Sequence, residues 1–76
     1  MELKEFLDKN PILVKSELAR EMYPNIAAGS AWTKLKNKLN GWEAGTGAQR
    51  MLPHDVEASK VVLRRLRDNI DEYLRK

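Results

Sequence analysis

Residues 15–41 read KSELAREMYPNIAAGSAWTKLKNKLNG, and this stretch decides the fold. Its spacing predicts two short helices joined by a turn. Over residues 16–22, Leu18, Ala19 and Met22 fall on one apolar face, with Glu17 and Glu21 outside it. Tyr23-Pro24-Asn25 ends that helix, because proline pushes the residue before it out of the helical region. Residues 26–29 make the connection, with Ile26 expected to reach the core. Ser30 suits an N-cap, since its hydroxyl can accept from an unpaired N–H of the first turn. The next helix then runs to about residue 40, where Gly41 supplies a C-terminal stop. Trp32, Leu35 and Leu39 share one narrow sector of it, and Ser30, Thr33 and Asn37 lie opposite.

The flanking sequence extends this helical reading in both directions. Leu3, Phe6 and Leu7 give a short first helix over residues 2–8, ended by Asn10-Pro11. Ile12-Leu13-Val14 is a brief apolar link expected to pin the second helix to the core. Residues 42–52, broken by glycines, form either a small hairpin wing or a plain connection, with Trp42 at the core edge. Pro53 opens the last helix, and Asp55 and Glu57 follow at the end where the helix dipole favours acids. Val56, Leu63, Leu66, Ile70 and Tyr73 carry its stripe over about 22 residues, or roughly 33 Å. That is more than three short helices can cover. The expected fold is all-α: residues 1–76 as one small four-helix domain containing a helix-turn-helix.

Composition narrows the function classes. The chain has 76 residues, no cysteine and a net charge of +3. A disulfide framework and thiolate chemistry are excluded. No apolar run approaches the roughly 20 residues needed to span a bilayer. No signal peptide is visible, so a cytoplasmic location is expected. His54 is the only histidine and has no metal-ligand spacing around it. No nucleophile–base pair or phosphate-binding glycine loop is present, and a chain this small has little room for a deep pocket. Neither an enzyme nor a metal or cofactor site is expected.

The charge distribution is more telling than its sum. Lys34, Lys36, Lys38 and Arg50 face a single acid, Glu43, between residues 34 and 50. A helix with a sharp apolar stripe and an opposite face of Ser, Thr, Asn and Lys suits the major groove of double-stranded DNA. Its short polar side chains exchange hydrogen bonds with base edges while lysines meet phosphates. Ser30, Thr33, Lys34 and Asn37 are the expected base-contacting residues. Lys15, Lys36, Lys38 and Arg50 are the expected phosphate contacts. Trp32, central to the apolar stripe, is expected in the core.

Ser16-Glu17-Leu18-Ala19-Arg20 resembles the opening of many bacterial helix-turn-helix proteins, with the small Ala19 where the two helices cross. Asn40-Gly41-Trp42-Glu43-Ala44-Gly45 resembles the stretch after the recognition helix in phage-repressor-like (Cro-like) regulators, and a winged-helix-like form stays open. The resemblance covers residues 15–45, a little over a third of the chain, and this chain's turn is longer. It implies sequence-specific DNA binding by a transcriptional regulator, or by an accessory protein of a phage or mobile element. The rival reading is a protein-interaction module that uses the long last helix. Under the DNA-binding reading, Ile70, Tyr73 and Leu74 are expected to form a homodimer contact.

Overall fold

The computed structural model describes residues 1–41, 43, 44, 47, 48 and 50–76. Four helices follow in order: α1 Leu3–Lys9, α2 Lys15–Met22, α3 Ala28–Leu39 and α4 Pro53–Leu74. Between α3 and α4, β1 Glu43–Ala44 pairs antiparallel with β2 Gly47–Ala48, in the register Glu43 to Ala48 and Ala44 to Gly47. For residues 42–52, where a hairpin or a plain connection is expected, the described residues contribute this two-residue ladder. The expected place of Trp42 lies outside the described residues.

Each helix end has a local cause. Asn10 closes α1, its side-chain amide donating to the Phe6 carbonyl at 2.8 Å. Residues 23–27 link α2 to α3, and Ala27, in an extended conformation, accepts the first α3 hydrogen bond from the Ala31 N–H at 2.9 Å. Helix α3 therefore starts two residues before Ser30. No side chain caps it, and Ser30 is an exposed first-turn residue rather than the expected N-cap. Ile26 is also exposed and does not enter the core. At the other end Gly41 takes φ +61°, a left-handed conformation costly for any residue with a Cβ, and its N–H donates to the Lys38 carbonyl at 3.3 Å.

The core is small. Leu7, Leu18, Ala19, Met22, Ala31 and Leu35 are buried, and Leu3, Phe6, Leu13, Trp32, Leu39, Met51, Ala58 and Val62 pack around them. Trp32 is thus a half-buried core residue, as its place in the stripe predicts. Of the 12–14 link, only Leu13 reaches the core, while Ile12 and Val14 stay exposed. Ala19 and Ala31 are both fully buried within the packed α2–α3 pair. Methyl side chains let two helices approach closely, so a larger one must separate them. Ala19→Leu is expected to cost about 1–3 kcal/mol of stability, read from urea unfolding. A neutral result would place Ala19 away from a tight crossing.

Helix α4 crosses α2 with its first half and runs past the core with its second. Ile70, Tyr73 and Leu74 are 48%, 76% and 72% exposed. The molecule measures 51 × 26 × 21 Å. No helix among the described residues is long and apolar enough to cross a membrane.

Candidate nucleic-acid interface

The exposed side of α3 is opposite the buried Ala31 and Leu35. Gly29, Ser30, Thr33, Lys34, Asn37 and Lys38 line one shallow depression there, with no acidic side chain among the described residues lining it. All four expected base-contacting residues are therefore brought together. The Thr33 hydroxyl donates to the Gly29 carbonyl at 3.1 Å and keeps its lone pairs as acceptors. Lys34 lies with its ammonium 4.4 Å from the centre of the Tyr23 ring, a cation–π contact that holds it at one edge of the face.

Lys15 and Lys36 meet on the opposite edge. With Lys4 they rim a hollow that also includes Leu7, Trp32 and Leu39. Asp8, also in this hollow, lies 3.8 Å from Lys15. Lys4 is absent from the sequence-based set. Its signal was available, since Lys4 and Asp8 fall on one polar side of α1, but only the α1–α3 packing places it beside Lys36. Arg50 is exposed and lines a neighbouring groove that shares Lys4, Leu39 and Asn40 with this hollow and also includes Lys38 and Lys60.

Lys38 has a partner within the fold. Its ammonium is 2.7 Å from Asp55 Oδ2, and its side chain is only 12% exposed. Asp55 is fully buried. It also accepts from the Tyr23 hydroxyl at 2.7 Å and from the Leu52 backbone N–H at 2.9 Å. His54, exposed, stands 3.5 Å away. Three elements thus converge on one carboxylate: Tyr23 after α2, Lys38 of α3 and the first turn of α4. A lysine that left for a phosphate would strand a buried charge, so this pairing gives Lys38 a structural part and argues against its expected phosphate contact.

The electrostatics agree with the geometry. Burial alone would raise the Asp55 carboxyl. Donation from Lys38, the Leu52 N–H and Tyr23, with the Lys38 charge, outweighs burial and holds it below the usual carboxylate range. Burial, then the bond to Asp55 and its negative charge, push the Tyr23 phenol well above its ordinary range. The network keeps α3 at a set angle to α2 and α4, and so fixes how the depression is presented.

Neither protein-family models, nor curated proteins, nor solved structures include a match to this chain.

Proposed function

We propose that the chain binds double-stranded DNA, with α3 entering the major groove. One observation carries this reading. Ser30, Thr33, Lys34 and Asn37 share a single solvent-facing depression with no acid among the described residues lining it, on a helix whose other side is anchored in the core. Asn37 lies in the last turn of α3, and its amide can bond adenine with two hydrogen bonds. Lys15 and Lys36, with Lys4, form the positive edge that meets the phosphate backbone. A regulatory role, or an accessory role on a phage or mobile element, follows from the resemblance of residues 15–45 alone.

Titration with a duplex, followed by amide chemical shifts, tests the reading. Shifts are expected over residues 29–38 and at Lys15 and Lys4. Shifts confined to residues 70–74, or none, would remove α3 from the interface. The rival protein-interaction reading rests on the exposed Ile70, Tyr73 and Leu74, and the same titration separates the two.

Base reading has its own test. Asn37→Ala is expected to leave the fold intact, because Asn37 lies on the side of α3 away from the buried Ala31 and Leu35. It is expected to cost about 1–3 kcal/mol at one preferred base pair and nothing on unrelated duplexes. Equal losses on every duplex would make Asn37 a backbone contact.

A further inference from the structure

The overhanging end of α4 continues the face by which that helix joins the core. At 3.6 residues per turn, Val62, Leu66, Ile70 and Tyr73 fall in one sector, with Leu63 and Leu74 beside them. The first of these are half-buried against the domain, and the last are exposed. Charges along the overhang are segregated. Arg64, Arg65 and Arg67 come first, then Asp68, Asp71 and Glu72, then Arg75 and Lys76. Arg67 and Asp71 lie on one flank of the apolar stripe and Asn69 on the other, with Arg65 and Glu72 turned further outward.

This pattern selects an occupant. A parallel pair of α4 helices would set both Arg67 and Asp71 beside Asn69 of the partner, which gives neither a counter-charge. An antiparallel pair about a two-fold near residue 69 sets Arg67 of each copy against Asp71 of the other. The same register carries the tip of one helix to the level of Val62 and Leu63 on the other. There a groove between α2 and α4, lined by Leu13, Leu18, Leu63 and Leu66, has Glu17 and Glu21 on its rim. Tyr73 and Leu74 match that groove, and Arg75 and Lys76 match its rim. The intrachain pairs Arg67–Asp68, Arg75–Asp71, Arg20–Glu17, Arg20–Glu21 and Arg65–Glu21 all join exposed side chains, so they exchange at little cost. The geometry points to a homodimer in which the C-terminal halves of two α4 helices pair antiparallel, each tip seated in the other copy's α2–α4 groove. This contact is self-complementary, as a two-fold interface must be. It does not depend on DNA binding.

Sedimentation equilibrium of the full chain, up to about 1 mM, is expected to show a concentration-dependent dimer. A monomer throughout overturns the proposal. Arg67→Glu opposes two acids across the two-fold and is expected to weaken the dimer about tenfold, with Arg67→Glu/Asp71→Arg restoring it. Failure of the double variant to recover, with unchanged helical circular dichroism, overturns the register. The chain has no cysteine, so single-cysteine variants report orientation cleanly. Two Ile70→Cys positions stand about 3 Å apart along the axis and should form a disulfide under mild oxidation, whereas two Leu74→Cys positions stand about 15 Å apart and should not. Equal crosslinking of both variants would mean a parallel pair and refute the antiparallel one.

Discussion

Asp55→Ala is expected to destabilise the domain by about 3–5 kcal/mol, the cost of stranding one member of a buried ion pair. A single small domain has only about 5–15 kcal/mol in total, so this variant approaches the unfolding threshold. The loss has three parts. Lys38 is left nearly enclosed without its counter-charge, the Tyr23 hydroxyl loses its acceptor, and the Leu52 N–H at the start of α4 loses its cap. Asp55→Asn keeps the shape and removes the charge, so it isolates the electrostatic part. The Asp55 carboxyl is held low in the folded state, so its contribution is full above the ordinary carboxylate value near 3.9 and is lost as pH falls through the folded value. Tyr23 is shifted up, so its contribution is full below about 10 and is lost as pH rises through the folded value. Urea unfolding of wild type and Asp55→Asn should differ most between about pH 4 and 10, and the difference should shrink as pH falls below about 4. A difference that stayed constant down to pH 2 would show that the carboxylate charge is not what the network uses.

That network also marks where sequence reading stopped. Helical phase was legible wherever apolar side chains repeat: Trp32, Leu35 and Leu39 give the core side of α3, and Pro53 with the spacing from Val56 to Tyr73 gives α4 nearly to its ends. Periodicity sorts residues by polarity, and so it put Lys38 and Asp55 outside. Only the crossing of α3 with α4 shows that each is the other's buried partner, seventeen positions away in the chain. Ser30 was misplaced for a related reason. A serine before an apolar stripe reads as a cap, but α3 begins on the backbone of Ala27, and no local pattern distinguishes a backbone start from a capped one. The gathering of Ser30, Thr33, Lys34 and Asn37 was legible because it needs one helix only. The approach of Lys4 to Lys36 was not, because it needs α1 to be placed first.

The same division predicts how two lysines of one helix part company in binding. Under the DNA-binding proposal, Lys15 and Lys36 each displace a counterion from the duplex, while Lys38 stays with Asp55. Each phosphate contact contributes about 0.9 to the slope of log affinity against log salt. Lys15, Lys36 and Lys4 together imply a slope near −2.7, or about a fortyfold loss of affinity between roughly 50 and 200 mM salt. Lys36→Gln is expected to lower that slope by about one, on specific and unrelated duplexes alike, with unchanged stability. Lys15→Gln/Lys36→Gln should lower it by about two. Lys38→Gln should leave the slope intact and instead destabilise the fold, because it uncovers Asp55. Fluorescence anisotropy at four or five salt concentrations, beside urea unfolding of each variant, reads both quantities. A slope that fell with Lys38→Gln and not with Lys36→Gln would reverse the two roles and put DNA on the Tyr23 side of α3. A wild-type slope near zero would end the case for a nucleic-acid interface on this face.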